Sequence, residues 1–305
     1  MSASDFANLA EMPENPTHTG LTAQGWNWSL AGAQEYVEAY GSLDIGQNYV
    51  TDDGKTRIYI DIPDDTPDSR MTFIVRLASS VSGGVSIDWG DGTSPTVTDS
   101  TSAKSYTHLY AQTGEYVIKL SVTSGTLRFV GSSGSSGQSA FGPSNSNNAF
   151  NRSRVKRIEL GAGLSGNGIG DYAFQNCYSL SSVTIPEGVT SIGQQAFSGC
   201  YSLSSVTIPE GVTSIGTSAF YNCYSLSSVT IPEGVTEIKT KAFQSCVGLG
   251  EIHLLPTTPP TLGAADAFGS LAADVVFYVP VGTLETYQTA ANWSTYASHM
   301  QEETT

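Results

Sequence analysis

The sequence predicts a mainly β protein whose largest part is a solenoid of about five coils. Residues 178–193 read YSLSSVTIPEGVTSIG, and the same letters return at residues 201–216. A third copy begins at Tyr224 and holds to Thr236, so the period is 23 residues. A unit this short has too little apolar surface to fold alone, whereas stacked units share one continuous core.

Each coil is predicted to contain two short strands and one tight turn. Leu180, Val183 and Ile185 alternate with small polar residues, as in a half-buried strand. Pro186 ends the hydrogen-bonded run because it has no N–H. The second strand and a turn of helix are predicted by the spacing of the remaining apolar residues, namely Val189 and Ile192, then Ala196, Phe197 and Cys200.

Ala-Phe pairs extend the register of the repeat along the chain. Four pairs keep the period, and a fifth follows a Pro-rich insertion: Ala173-Phe174, Ala196-Phe197, Ala219-Phe220, Ala242-Phe243 and Ala267-Phe268. A cysteine follows each of the first four pairs at the same distance: Cys177, Cys200, Cys223 and Cys246. We predict free thiols buried in the core, because equivalent side chains point the same way and Leu271 fills this place in the fifth coil.

The repeat resembles a known family. Its pattern, Leu-x-x-Val-x-Ile-Pro followed by Ile-Gly-x-x-Ala-Phe-x-x-Cys, is similar to the BspA-like (Treponema-type) leucine-rich repeat of bacterial surface proteins. This resemblance places the repeats at residues 151–282. Residues 277–300 resemble the C-terminal cap of such proteins, a last strand followed by a helix, which gives a helical cap at 283–305. The family implies binding and adhesion more than catalysis.

A β-sandwich is predicted at residues 55–130, where residues 73–77, 85–89 and 116–122 alternate as half-buried strands. Three short motifs accompany these strands: Asp88-Trp89-Gly90-Asp91-Gly92-Thr93, Tyr106-Thr107-His108-Leu109-Tyr110 and Gly114-Glu115-Tyr116-Val117. The set resembles a PKD domain, an immunoglobulin-like sandwich in which the histidine makes a structural hydrogen bond. Such sandwiches are usually spacers or weak binders. We expect Asp88 and Asp91 to shape their turn through side-chain-to-backbone hydrogen bonds.

Residues 1–54 are predicted to form a small α+β segment. It contains a helix at residues 30–40 and a hairpin turn at residues 52–54. Residues 21–57 also resemble the N-terminal part of leucine-rich-repeat proteins encoded in prophages of gut Firmicutes.

A Gly/Ser-rich linker is predicted at residues 131–150. We therefore expect the solenoid to fold without the first 130 residues. Phe141 and the Ala149-Phe150 pair are candidates to cover the open end of the solenoid, since an exposed end would pair with other chains.

Charge and hydropathy limit the partners. The chain carries 13 Lys plus Arg against 28 Asp plus Glu, a net charge of −15, which disfavours nucleic acid and anionic membranes. No apolar run approaches the length of a membrane-spanning helix, so no membrane insertion is expected. The start of the chain lacks the regions of a secretory signal. We expect a cell-surface or extracellular protein if a signal was removed, and a virion-associated one otherwise.

The residues that could carry chemistry do not form a recognisable active site. No HExxH motif, phosphate loop or nucleophile-histidine-acid spacing accompanies the four histidines, His18, His108, His253 and His299. We expect no enzyme activity, no catalytic residue and no cofactor. Four aspartates crowd one loop without the spacing of a calcium loop, so no metal site is predicted there: Asp61, Asp64, Asp65 and Asp68.

Equivalent residues on successive coils should lie about 4.8 Å apart. Tyr178, Tyr201 and Tyr224 would then form an aromatic column, which either shields the edge of the coils or docks a protein or glycan. Further columns are predicted for Glu187, Glu210 and Glu233, for Ser182, Ser205 and Ser228, and for Thr184, Thr207 and Thr230.

The sequence therefore indicates a non-catalytic recognition scaffold. The first hypothesis is a bacterial surface adhesin or host-interaction protein. The alternative is a structural or receptor-binding accessory protein of a phage or prophage particle. A weaker alternative is an accessory binding module of a secreted hydrolase. The sequence predicts neither the ligand nor the oligomeric state.

Overall fold

The computed structural model describes residues 21–26, 47–51, 55–63, 72–79, 85–93, 95–98, 104–122, 127–129, 140–141, 149–161 and 168–303. The chain divides into two compact units, residues 1–54 and residues 55–305. In the first unit, β1 (Leu21–Trp26) pairs antiparallel with β2 (Gln47–Thr51). The predicted helix at residues 30–40 lies outside the described residues.

The second unit begins with two antiparallel sheets. Their strands are β3 (Thr56–Ile62), β4 (Thr72–Ser79), β5 (Val85–Asp88), β6 (Thr96–Thr98), β7 (Lys104–Leu109), β8 (Gly114–Val122) and β9 (Leu127–Phe129). Strands β3, β8, β5 and β6 lie side by side, and β4 lies between β7 and β9. Ile58, Ile87 and Tyr106 are buried in one core, because alternate residues of each strand point to the same face.

Short parallel strands then form the solenoid. After α1 (Ala149–Arg154) they are β10 (Val155–Glu159), β11 (Ser182–Thr184), β12 (Ser191–Ile192), β13 (Ser205–Val206), β14 (Ser214–Ile215), β15 (Ser228–Ile231), β16 (Glu237–Ile238), β17 (Glu251–Leu254), β18 (Thr261–Leu262) and β19 (Val276–Val279). One side of the coils stacks β10, β11, β13, β15, β17 and β19, and a second side stacks β12, β14, β16 and β18. The described residues thus form about six coils rather than five, because β10 opens a coil of its own.

The third side of each coil is not the turn of helix that was predicted. Gln195 and Gly199 have φ values of 52° and 75°, which an α-helix does not contain. The amide of Phe197 donates to the carbonyl of Ala219 in the next coil at 2.8 Å. Alternate amides therefore join neighbouring coils. Residues that tolerate positive φ recur at the position of Gly199, namely Asn176 and Asn222.

Phenylalanine rings form the centre of the solenoid. Successive rings lie 5.0 to 5.3 Å apart between centroids, in the order Phe174, Phe197, Phe220, Phe243 and Phe268. At the N-terminal end, Phe129 of the sandwich lies 5.2 Å from Phe174, and Phe141 lies 6.0 Å from it. Phe141 is fully buried, so it covers the end of the solenoid as predicted.

Strand β3 joins the sandwich to the solenoid. It pairs with β8 on one edge and with β10 on the other, so a single seven-stranded sheet runs through both parts. The amide of Gly161 also donates to Thr56 Oγ1 at 2.9 Å. The turn predicted at residues 52–54 lies outside the described residues. The described strand before it, β2, pairs with β1, and the strand after it, β3, pairs with β8 and β10. The shared sheet also argues against a solenoid that folds alone.

The C-terminal cap closes the other end. It consists of α2 (Leu284–Thr289), a 3-10 helix (Trp293–His299) and β20 (Met300–Glu302), which pairs in parallel with β19. Trp293 Nε1 donates to the carbonyl of Pro260, and Tyr287 Oη to that of Pro256, both at 2.7 Å. The cap is therefore helical, as predicted, with a strand in addition. Its buried aromatic residues are tied to the Pro-rich insertion.

Candidate recognition surface

The tyrosine column lies where the third side of each coil returns to the first side. Tyr178, Tyr201 and Tyr224 each follow a buried cysteine, and successive ring centroids are 5.1 and 4.9 Å apart. Tyr201 and Tyr224 are 39% and 42% exposed, and Tyr178 is half-buried. Burial and the neighbouring tyrosines raise the pKa of Tyr201, so its phenol stays a protonated hydrogen-bond donor at neutral pH.

Stacking decides which part of each ring meets solvent. The rings of Tyr201 and Tyr224 are 14° from parallel, and Tyr178 lies over Tyr201 from the preceding coil. The faces of Tyr201 are therefore covered, and its edge and hydroxyl are exposed. Val247 occupies the equivalent place in the next coil and is 53% exposed. Val247 departs from the repeated tyrosine and so was not predicted as part of the column, although the 23-residue period points to it.

The cysteines lie in the core behind this column. All four are fully buried, and no disulfide joins them in the part of the chain that the structure describes. The thiols of Cys200, Cys223 and Cys246 donate to carbonyls of the preceding coil at 3.3, 3.3 and 3.0 Å, namely those of Phe174, Phe197 and Phe220. Burial raises the pKa of Cys200 and Cys223. These thiols are packing residues and poor nucleophiles.

Serine and threonine form two kinds of row. Some of their hydroxyls donate to carbonyls of the preceding coil at 3.0 to 3.4 Å: Ser181, Ser204, Ser227, Thr213 and Thr236. The predicted rows on the sheet face are half-buried in the first coil and exposed in the next two: Ser182, Ser205, Ser228, Thr184, Thr207 and Thr230. The predicted acidic column is exposed throughout: Glu187, Glu210 and Glu233.

His108 has the structural role that was predicted for it. Its Nε2 lies 2.7 Å from Asp91 Oδ2, and its ring stacks on Trp89 at 4.9 Å. Tyr110 Oη donates to the carbonyl of Trp89 at 2.9 Å. Burial alone would raise the pKa of Asp91, but hydrogen bonds from Thr93 and His108 outweigh it and lower the pKa to about 2. The carboxylate therefore holds the sandwich corner in place.

The two aspartates of this corner shape the turn, as expected. The amide of Gly90 donates to Asp88 Oδ1 at 3.0 Å, and that of Thr93 to Asp91 Oδ1 at 3.1 Å. Gly90 has a φ of 82°, and a Cβ there would lie 2.5 Å from the carbonyl oxygen of Val117. The position therefore requires glycine.

The other histidines have separate partners. His253 Nδ1 lies 2.6 Å from Glu303 Oε1, and its ring stacks on Tyr278 at 4.8 Å. Glu251, two residues before His253 in the sequence, is more distant, at 3.7 Å from Nε2. His299 Nδ1 lies 3.2 Å from the carbonyl of Val275. His18 is outside the described residues, and the absence of enzyme activity stays a prediction.

Within the described residues, no group of three or more His, Cys, Asp or Glu side chains is placed to hold a metal ion. Of the four aspartates singled out above, Asp61 pairs with Lys156 at 3.7 Å, and the others lie outside the described residues. In the part of the chain that the structure covers, no helix is both long and apolar enough to cross a membrane.

The fold and its surface define a class of protein, a β-solenoid that presents columns of equivalent side chains. Residues 144–263 match the family described as "BspA type Leucine rich repeat region", in six copies. The match confirms the resemblance of the repeats and the leucine-rich-repeat solenoid. The PKD and prophage resemblances lie outside this match and stay predictions.

Several solved structures of bacterial leucine-rich-repeat proteins are similar. One from Bacteroides ovatus is 26% identical, with 42% of this chain and 40% of that chain covered and a TM-score of 0.29. One from T. pallidum is 28% identical, with 43% and 66% covered and a TM-score of 0.36. A leucine-rich cell surface protein from Faecalibacterium prausnitzii is 26% identical, with 42% of each chain covered and a TM-score of 0.29. The matched region spans less than two thirds of each of these chains. No curated protein sequence matches this chain.

Proposed function

We propose that this protein is a non-catalytic recognition scaffold of a bacterial cell surface, and that its tyrosine column binds a protein partner. The observation that carries the proposal is the column itself. Tyr201 and Tyr224 stand 39% and 42% exposed on a solenoid whose phenylalanine core fixes their spacing. A preorganised row of this kind loses little conformational entropy when it binds.

The stacking favours a protein over a glycan as the partner. A sugar ring packs on an open aromatic face, and the faces of Tyr201 are covered by Tyr178 and Tyr224. The exposed edges and phenol hydroxyls, continued by Val247, combine apolar surface with hydrogen-bond donors. Protein interfaces use tyrosine in this way, and tyrosine is enriched among the residues that dominate their binding energy.

The proposal is tested by replacing Tyr178, Tyr201 and Tyr224 with serine in one variant. Binding of the labelled protein to intact animal cells is measured by flow cytometry, before and after protease treatment of the cells. We expect protease-sensitive binding that weakens at least tenfold in the variant, because truncating central interface residues commonly costs about 2 kcal/mol or more.

The matched control replaces Glu187, Glu210 and Glu233 with glutamine. These residues form an equally long exposed column at another corner of the coil, so this variant should bind as the wild type does. Unchanged binding by a folded tyrosine variant contradicts the proposal. Loss of binding on a glycan array in the same variant would identify a glycan partner instead.

The surface location follows from the resemblance of the repeat to BspA-like proteins and forms part of the proposal. Immunogold labelling of intact producing cells tests it. Label on the cell envelope supports the proposal. Label confined to particles released by lysis would favour the virion-associated alternative.

A further inference from the structure

The junction between the sandwich and the solenoid concentrates positive charge. Strand β3, α1 and β10 carry five of the chain's 13 Lys and Arg residues: Arg57, Arg152, Arg154, Lys156 and Arg157. The same three elements contain two carboxylates, Asp61 and Glu159. The net charge of the whole chain is −15, so this region has the opposite sign to the protein around it.

Both carboxylates already have cationic partners. Asp61 lies 3.7 Å from Lys156. Burial lowers the pKa of Arg154, and the negative charge of Asp61 partly opposes this shift. Glu159 lies 3.4 Å from Arg157. Both carboxylates are thus paired with residues other than Arg152.

Arg152 itself is buried without compensation. It is 2% exposed, and among the described residues its Nε and Nη1 have no hydrogen-bond partner. A guanidinium group stays protonated even when it is buried. An uncompensated buried charge strongly destabilises a fold, and buried donors are satisfied in almost all native proteins by protein, water or an ion.

We propose that Arg152 is the centre of a binding site for a small oxyanion of the phosphate or carboxylate class. Nε and Nη1 together carry three N–H bonds, and such an anion accepts hydrogen bonds from those that face it and neutralises the buried charge. The three elements carry five cations against two carboxylates, so the surroundings of the site keep a positive potential after these ion pairs have formed. Because α1 packs against both β3 and β10, the bound anion would brace the sheet that joins sandwich and solenoid.

The test is thermal unfolding of the full chain in phosphate or acetate, with chloride as the reference at equal ionic strength. We expect the unfolding temperature of the wild type to rise by a few degrees for each tenfold increase in oxyanion concentration above the dissociation constant. The Arg152→Met variant keeps an unbranched, flexible side chain and removes the charge, so it should not respond. Lys241→Met, an exposed cation on a distant coil, should respond as the wild type does.

Equal responses of the wild type and Arg152→Met would overturn the proposal, because they would show only a general salt effect. If Arg152→Met does not fold, a measurement on the wild type alone tests the proposal. Calorimetric titration of the wild type with inorganic phosphate should then show saturable binding of one anion. Absence of saturable heat with both phosphate and acetate overturns the proposal.

Discussion

Single residues hold neighbouring coils in register. Cysteine suits its place because it is small and its thiol reaches a carbonyl of the preceding coil, as Cys246 does to Phe220 at 3.0 Å. Leu271 stands in the same place in a later coil and is only partly buried. An aliphatic residue at this place shows that it needs an apolar filler and no sulfur chemistry.

Thiol accessibility follows from this burial. Titration with a thiol reagent, without reductant, should show almost no reaction in the native protein and four equivalents after denaturation. The physical reason is full burial, which keeps the reagent out and raises the pKa of Cys200 and Cys223. Two or fewer equivalents after denaturation would establish a disulfide and contradict the prediction.

Asp91 makes the sandwich sensitive to acid. Its pKa is about 2 in the folded protein and 3.8 as a free group. Its stabilising contribution is therefore complete above pH 3.8 and is lost as the pH falls towards 2. Asp91→Asn should lower the free energy of unfolding at pH 7 by about 1 to 3 kcal/mol, because charged hydrogen bonds are lost.

Urea unfolding of the wild type and Asp91→Asn between pH 2 and 7 checks this expectation. The difference between the two proteins should shrink below pH 3.8. A difference that stays constant down to pH 2 would show that the carboxylate charge is not what stabilises the corner. Asp274→Asn, at an exposed position in the turn before β19, provides the comparison.

The stacked phenylalanine rings in the core should stabilise the solenoid more than the tyrosine column on its surface does. Phe220 is fully buried between two rings at 5.3 and 5.0 Å, whereas Tyr201 is 39% exposed. Phe220→Ala should lower the free energy of unfolding by about 3 to 5 kcal/mol, since it leaves a cavity in the core. Tyr201→Ala should cost clearly less. Urea unfolding distinguishes the two, and equal losses would contradict the assignment of core and surface.

Local patterns predicted the strands well and the third side of the coil poorly. Alternation predicted the strand around Val183, and the period gave the places of the first four Ala-Phe pairs. The Ala196, Phe197 and Cys200 spacing predicted a turn of helix, because i and i+4 positions share a helix face. An irregular turn with positive φ at Gln195 gives the same burial pattern. Strand β20 was missed because Met300 and Gln301 carry no alternation signal.

For the whole molecule, the union of sandwich and solenoid was not predictable from local patterns. Strand β3 and β10 are far apart in sequence, and either could have paired elsewhere. The composition of residues 131–150 indicated a flexible linker between two domains. Instead, β3 pairs with β10, as at Ile58 and Ile158, and the sandwich and the solenoid share one sheet. The tyrosine column could be predicted, because the stacking of identical repeats determines it without long-range information.

The central claim is that residues 55–305 form one folding unit whose sandwich covers the first coil of a recognition solenoid. Thermal unfolding of the full chain and of residues 130–305 tests it most directly. Without β3 and Phe129, the fragment exposes the edge of β10 and the part of the Phe174 ring that Phe129 covers. We predict that the fragment unfolds several degrees lower and less cooperatively than the solenoid in the full chain. A fragment with the midpoint and cooperativity of the full chain would contradict the claim.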